Sequence, residues 1–136
     1  MIIIRKGNFG EMATDVDLYT KGYNPLHNRT VDLDDTSVLG GGIDHVFQNP
    51  NTGEYIIVES KYNTSVLNQN PVDGPQMSNP WIQGGDRLMN VIGDEAIVED
   101  IIMGGYTRVV AKVSPNGFIE YIEINSLGQP IGPWDH

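Results

Sequence analysis

The stretch YIIVESKYN, residues 55–63, is an apolar run that ends in two charged residues, Glu59 and Lys61. Its β-branched residues predict a buried strand. Because side chains two residues apart along a strand point to the same face, Glu59 and Lys61 share one side of it. The segment IDHVF at 43–47 precedes it, and the intervening QNPNTG supplies Pro, Asn and Gly for a turn. We therefore expect a β-hairpin.

The length of the hairpin loop decides which residues face one another. With an even number of loop residues, Asp44 lies directly opposite Glu59, and both acids share a face with Lys61. A loop that differs by one residue points the two acids to opposite faces. In the first register, two carboxylates that repel one another favour binding of a divalent cation. Lys61 can then orient a water or stabilise developing negative charge, and the carbonyl of Ser60 is a further candidate ligand.

An N-terminal helix is predicted over residues 8–22. Asn8 is a candidate N-cap, and Glu11 follows it by three residues, as in a capping box. Gly22 is a natural helix end. The apolar stripe of this helix consists of Met12, Val16 and Tyr19. Glu11 therefore has two open interpretations, a capping residue and a site residue.

The remainder of the chain predicts helices and a second hairpin. Residues 23–42 are turn-rich, and a polar connection over 64–90 leads into a helix around PWIQGGDRLMNVI, with Trp81 as a core anchor. EAIVEDIIMGG reads as a short helix ended by Gly104, and YTRVVAKVSPNGFIEYIEINSLG as a hairpin that turns at SPNG. This order of elements predicts an α/β fold, an α+β sandwich of helices around a small sheet.

Composition limits the classes of function. The chain has 136 residues, enough for one domain, and we treat residues 1–136 as a single unit. The absence of cysteine excludes disulfides, thiolate metal sites and a cysteine nucleophile. No apolar stretch has the roughly 20 residues of a membrane span, so no membrane anchoring is expected. The net charge of −10 argues against broad non-specific binding to nucleic acid and fits a basic partner, cation binding or solubility.

Four segments together resemble a known family. They are GNFGEM at 7–12, GGGIDHVF at 40–47, VESKY at 58–62 and QMSNPWI at 76–82. In this layout, which covers roughly residues 5–90, the chain resembles PD-(D/E)xK nucleases. More narrowly, it resembles the restriction-endonuclease-like toxin domains at the C-termini of contact-dependent growth inhibition proteins and other polymorphic bacterial toxins. Ile43 stands where the family usually has a proline.

The resemblance implies a restriction-endonuclease-like core, a central mixed sheet flanked by helices. It makes Asp44 and Glu59 metal ligands, Lys61 the catalytic lysine, Glu11 a helix acid that lines the site and Gln76 a polar site residue. The activity implied is metal-assisted hydrolysis of phosphodiesters. Mg²⁺ suits an all-oxygen ligand shell best, with Mn²⁺ and Zn²⁺ as alternatives.

The resemblance also implies a biological setting. DNA is the favoured substrate and tRNA the second. The domain would be the C-terminal part of a larger secreted toxin, delivered to act in the cytoplasm of a target bacterium and neutralised by a cognate immunity protein. The alternative from another class is a non-catalytic acidic binding module of the immunity or adaptor type. In that case Glu59 and Lys61 form a strand-end ion pair worth at most about 1 kcal/mol.

Other polar residues have less specific interpretations. His45 is expected to be a core or surface residue rather than a zinc ligand, and His27 a solvated loop residue. His136 is expected in a frayed tail. VDLDD at 31–35 is expected to be a solvated acidic loop, with docking to a basic partner as the alternative, and GGG at 40–42 to let the chain pass close to the site. The candidate phosphate-binding cations are Arg87, Arg108 and Lys112.

Overall fold

The computed structural model of the protein describes residues 3–28, 42–69 and 72–136. Within them the chain forms an α+β fold with one six-stranded mixed sheet. The helices are α1 (Ile3–Thr20), α2 (Asn79–Gln83), α3 (Arg87–Ile92) and α4 (Glu95–Gly104). The strands are β1 (Asn24–Pro25), β2 (His45–Gln48), β3 (Tyr55–Tyr62), β4 (Thr107–Val113), β5 (Ile119–Ile124) and β6 (Pro130–Pro133).

The strands follow one another across the sheet in chain order. All neighbours are antiparallel except β3 and β4, which run parallel. Parallel neighbours need a crossover connection, and the segment containing α2, α3 and α4 supplies it. The helical segment is therefore held across one face of the sheet.

Both predicted hairpins are confirmed. In the first, His45 pairs with Val58 and Gln48 with Tyr55, which is the register that places Asp44 opposite Glu59. Asp44 lies one residue before β2, and its Oδ2 accepts a hydrogen bond from the backbone N–H of Ser60 at 3.0 Å. The second hairpin joins β4 to β5.

Two apolar clusters cover the two faces of the sheet. Phe47, Ile56 and Val58 are buried on one face, together with Leu18 of α1. Ile57 is buried on the other face, where the cluster takes most of its large residues from the crossover helices. Those helical residues are Trp81, Ile82, Leu88, Val91, Ile92 and Ile101. Successive side chains of β3 thus point alternately to the sheet face covered by α1 and to the face covered by the crossover helices.

Helix α1 differs from its prediction in both extent and orientation. It includes residues before Asn8, so Asn8 is not an N-cap and the capping-box interpretation of Glu11 is wrong. Val16 and Tyr19, predicted to lie on the apolar stripe of the helix, are 67% and 69% exposed. The buried positions are instead Asn8, Glu11, Thr14 and Leu18. A polar face directed at the sheet is invisible to a search for apolar periodicity.

The predicted helix over residues 80–92 is two helices. Gly85 and Asp86 both have left-handed backbone conformations, with φ of 58° and 56°, and they separate α2 from α3. The helix that was expected to end at Gly104 does so. The outer strands β1 and β6 were not predicted. Both contain proline, which sheets tolerate at their edges because an edge strand has unpaired N–H positions.

Some sequence predictions cannot be assigned a structure. VDLDD at 31–35 lies outside the described residues, as do Gly40 and Gly41 of the glycine run. Among the described residues, no helix is both long and apolar enough to span a membrane.

Candidate functional site

The end of β3 carries a buried carboxyl group next to a second one. Glu59 is 2% exposed, and the carboxyl group of Asp44 lies close enough to shift its pKa. Asp44 in turn is held in place by the backbone N–H of Ser60. The hairpin register and this backbone contact bring the two predicted acids together.

The environment of Glu59 disfavours its charged form. Burial raises the pKa of Glu59 well above its usual value, and the negative charge of Asp44 raises it further. Lys61 lowers this pKa and Glu11 raises it, so both charges lie close enough to act on the carboxyl group. Glu59 Oε1 is buried and has no hydrogen-bond partner among the described residues. A divalent cation would supply the missing positive charge.

Gln76 connects Glu59 to the loop that follows β3. Its Nε2 donates to Glu59 Oε2. Its Oε1 accepts from the backbone N–H of Asn68 at 3.0 Å, and its own N–H donates to the Asn68 carbonyl at 2.8 Å. The amide side chain is thus fixed at both ends, and it orients one oxygen of the buried carboxyl group.

Lys61 lies between two hollows on the surface. One, of about 260 Å³, is lined by Lys61 and Lys112 over an apolar floor that includes Val110 and Ile122. The two lysines are register partners on the parallel strands β3 and β4. The other hollow, of about 440 Å³, is lined by Lys61 and Lys6. Paired lysines at the edge of a surface hollow can bind a phosphate group.

The structure therefore brings together the residues on which the resemblance depends. Glu59 lies against Asp44 and Gln76, and the charges of Lys61 and Glu11 shift its pKa. Ser60 holds Asp44 through its N–H, while its hydroxyl lies on the opposite face against His45 at 2.7 Å. The role of the Ser60 carbonyl as a metal ligand stays a prediction.

A second polar cluster lies on the α1 side of the sheet. Asp15 Oδ1 is 2.9 Å from His27 Nε2 and 2.8 Å from His45 Nδ1. The side chains of Asp15, His27 and His45 are 17%, 2% and 1% exposed. The three donor atoms lie within 4.8 Å of one another, an arrangement that could hold a metal ion.

This cluster corrects one histidine prediction and adds a residue that sequence reasoning missed. His27 is not a solvated loop residue, because its ring is buried against Asp15. His45 is a core residue, as expected. Asp15 lies one helical turn after Glu11, which places both on one face of α1, but no local pattern in the sequence signals that Asp15 meets the two histidines. Burial raises the pKa of Asp15, but the hydrogen bonds and charges of the two histidines outweigh it and lower the pKa to about 2.

The predicted arginines have structural contacts. Arg87 pairs with Asp73 at 2.8 Å and lies over the ring of Trp81, a buried core anchor as expected. Arg108 is hydrogen-bonded to the side chain of Asn79 and lies over Tyr106. Lys112, the third predicted cation, lines the hollow of about 260 Å³ together with Lys61.

The C-terminal histidine is packed against the fold. The ring of His136 stacks on Trp134 with centroids 4.3 Å apart, so the expectation of a frayed tail is wrong.

Comparison of the chain with known proteins finds no matching family model, no matching curated protein and no matching solved structure.

Proposed function

We propose that this domain is a metal-dependent nuclease that hydrolyses phosphodiester bonds, with DNA as the favoured substrate and tRNA as the second. One observation carries the proposal. Glu59 is a buried carboxyl group against Asp44, and its Oε1 has no hydrogen-bond partner among the described residues. Such an arrangement costs free energy unless a cation or a shared proton lies there.

The donor atoms at this position fit a hard divalent cation. Asp44 and Glu59 offer carboxylate oxygens and the Ser60 carbonyl is a third candidate, so the set contains oxygen only. Mg²⁺ prefers such ligands, and Mn²⁺ or Zn²⁺ can replace it. When bound, a divalent ion polarises a phosphate and lowers the pKa of a coordinated water.

The protein's own residues have separate roles in this proposal. Lys61 stabilises the negative charge that develops on the phosphate or orients the attacking water. Lys112 and Lys6 bind neighbouring phosphates of the substrate in the two hollows. Gln76 orients Glu59 through its hydrogen bond. Glu11 adds negative charge, which strengthens the attraction for a cation.

The sequence resemblance extends the proposal to the biological role. The core would be of the restriction-endonuclease type, and the domain would act as an antibacterial toxin in the cytoplasm of a target cell. A cognate immunity protein would protect the producing cell. The rival function, a non-catalytic acidic binding module, accounts for the net charge of −10. It leaves the burial of Glu59 unexplained, because a strand-end ion pair is a solvated feature.

A cleavage assay tests the proposal. Purified protein is incubated with supercoiled plasmid and, separately, with total tRNA, each with Mg²⁺, Mn²⁺, Zn²⁺ or EDTA. Glu59→Gln is compared with Glu99→Gln, which changes an exposed acid on α4. We expect metal-dependent cleavage by the wild type and by Glu99→Gln but not by Glu59→Gln. Equal cleavage by all three proteins, or none by the folded wild type with any metal, would contradict the proposal.

A further inference from the structure

The cluster of Asp15, His27 and His45 joins three separate parts of the fold. Asp15 is on α1, His27 follows β1 by two residues, and His45 is the first residue of β2. All three lie on the sheet face opposite Glu59, so the cluster does not belong to the carboxylate site. What fills the space between their donor atoms can be deduced from the surrounding hydrogen bonds.

A chain of hydroxyl groups fixes the proton on one side of His45. Thr14 Oγ1 donates to the Gly10 carbonyl at 2.8 Å, because a carbonyl can only accept. Ser60 Oγ donates to Thr14 Oγ1 at 2.8 Å. Each hydroxyl has a single hydrogen, so Ser60 can only accept from His45 Nε2, which lies 2.7 Å away. The Nε2 atom of His45 therefore carries a proton.

The other ring nitrogen of His45 faces Asp15. Nδ1 lies 2.8 Å from Asp15 Oδ1. Two electron-rich atoms at this separation repel unless a proton or a metal ion lies between them.

His27 reaches the same carboxylate oxygen from another direction. Its Nε2 is 2.9 Å from Asp15 Oδ1. Its Nδ1 is 3.1 Å from the carbonyl oxygen of Val46 and 3.2 Å from the Val46 amide nitrogen, so either tautomer finds a partner there. With the proton on Nδ1 donated to the carbonyl, Nε2 presents a second lone pair at Asp15.

We propose that Asp15, His27 and His45 bind a divalent transition-metal ion, zinc foremost, through Oδ1, Nε2 and Nδ1 respectively. Two imidazoles and one carboxylate form a ligand set typical of zinc. The second nitrogen of each histidine has a hydrogen-bond partner, as metal-bound histidines require. Asp15, at 17% exposed, is the most accessible of the three side chains, so solvent can supply a water as the fourth ligand. Tetrahedral bonds of about 2.0–2.1 Å require the two oxygen–nitrogen distances to lengthen from 2.9 and 2.8 Å to about 3.4 Å.

The ion would lie beside the proposed nuclease site without belonging to it. It would link α1, the segment after β1 and β2 into one unit. Ser60 lies between the two sites, since its hydroxyl contacts His45 and its N–H contacts Asp44. The histidine cluster favours zinc, whereas the oxygen-only carboxylate site favours magnesium.

Metal analysis tests the inference. Wild type, His27→Gln, His136→Gln and Glu59→Gln are incubated with ZnCl₂ in excess Mg²⁺, which competes for oxygen-only sites, then dialysed and measured for zinc by mass spectrometry. We expect one zinc per chain in wild type, His136→Gln and Glu59→Gln, and none in His27→Gln. Zinc absent from the wild type, retained by His27→Gln, or lost only in Glu59→Gln would overturn the proposal.

A second measurement does not depend on whether His27→Gln folds. Wild-type crystals grown with zinc are measured at the zinc absorption edge. An anomalous peak among Asp15, His27 and His45 supports the site. No peak there, with or without a peak at Asp44 and Glu59, overturns it and means that protons alone join the three side chains. Neither result depends on whether the protein cleaves nucleic acid, so failure of the zinc site can be distinguished from failure of the proposed nuclease.

Discussion

At the scale of single residues, Glu59 is a carboxyl group in an environment that disfavours its charged form. Its side chain is buried next to Asp44, Lys61 contributes a positive charge that lowers its pKa, and Glu11 contributes a further negative charge. Burying such a carboxyl group costs free energy relative to an apolar residue of similar volume. Replacing Glu59 with an uncharged residue of similar shape measures this free-energy cost.

We predict that Glu59→Gln is more stable than wild type at neutral pH in metal-free buffer. The pKa of Glu59 is raised in the folded state, so its contribution to stability is fully present below its usual value of 4.5 and is lost as pH rises through the folded pKa. Glu59→Gln has no ionisable group at this position, so its free energy of unfolding should not fall over this pH range. Mg²⁺ should raise the melting temperature of the wild type and leave that of Glu59→Gln unchanged.

Thermal unfolding across pH, with and without Mg²⁺, checks this prediction. Glu99→Gln is the control for loss of an acid elsewhere on the protein. If Mg²⁺ stabilises Glu59→Gln as much as wild type, Glu59 is not a ligand.

Much of the site could be predicted at this scale, and the reason is the period of a β-strand. Once β3 was recognised, Glu59 and Lys61 had to share a face, and the hairpin register brought Asp44 to them. Asp15 and His27 could not be predicted in this way. Their meeting depends on how α1 and the segment after β1 pack against β2, which no local pattern specifies.

At the scale of secondary-structure elements, α1 is attached to the sheet by polar contacts as well as by Leu18. The hydroxyl of Tyr121 on β5 donates to Asp17 Oδ2 at 2.6 Å, and Lys21 pairs with the same oxygen at 2.9 Å. Burial raises the pKa of Asp17, but the hydrogen bonds from Tyr121 and Lys21 outweigh it, so the pKa is lowered. This polar attachment explains why apolar periodicity gave the wrong buried face for the helix.

We predict that Tyr121→Phe lowers the free energy of unfolding by about 1–2 kcal/mol at neutral pH, since solvent partly screens Asp17. Because the pKa of Asp17 is lowered in the folded state, its contribution is present above its usual value of 3.8 and lost as pH falls through the folded pKa. The difference between the two proteins should therefore shrink in acid. Urea denaturation at neutral and acidic pH measures it, and a difference independent of pH would indicate lost packing instead.

The break between α2 and α3 depends on Gly84. A Cβ atom at this position would lie 2.7 Å from the carbonyl oxygen of Pro80. We predict that Gly84→Ala lowers the free energy of unfolding by about 1–3 kcal/mol, because backbone must move to relieve the clash. Gly104→Ala is the matched control, since a Cβ there meets nothing within 4 Å. It should be neutral or stabilising by up to about 1 kcal/mol. Equal destabilisation by both would contradict the steric explanation.

At the scale of the whole molecule, the distribution of charge is compatible with the proposed anionic substrate despite a net charge of −10. Three of the eight Lys and Arg residues, Lys6, Lys61 and Lys112, line the two hollows that meet at Lys61. The exposed acids of α4 lie near Tyr55, whose hydroxyl donates to Asp100 at 2.5 Å. Tyr55 and Lys61 are about 20 Å apart along β3. The exposed acids of α4 therefore lie at the opposite end of the strand from these lysines.

We predict a shallow salt dependence of nucleic-acid binding. With three lysines at the hollows, the logarithm of the binding constant should fall with the logarithm of salt concentration with a slope of about −2 to −3. Fluorescence anisotropy with labelled DNA in Ca²⁺ measures the slope, and Lys112→Ala should make it shallower by about one. A slope several times steeper would place the binding surface elsewhere.

The overall architecture could be predicted only in outline. The two hairpins and α4 followed from strand alternation, turn residues and glycine stops, and they were enough to give the α+β class. The parallel pairing of β3 with β4 and the edge strands β1 and β6 did not follow. Parallel pairing joins residues far apart in the chain, and the short proline-containing edge strands have no apolar alternation to detect.

The proposal that Lys61 and its neighbouring carboxylates cleave phosphodiesters is tested by comparing three proteins. Wild type, Lys61→Ala and Lys21→Ala are assayed for Mg²⁺-dependent cleavage of plasmid and tRNA, after circular dichroism has shown that all three are folded. Lys21 is the control because it pairs with Asp17, away from the site. We predict that Lys61→Ala reduces cleavage by about 10²–10³-fold and that Lys21→Ala retains the wild-type rate. Wild-type cleavage by Lys61→Ala, or no cleavage by any of the three proteins, would contradict the claim.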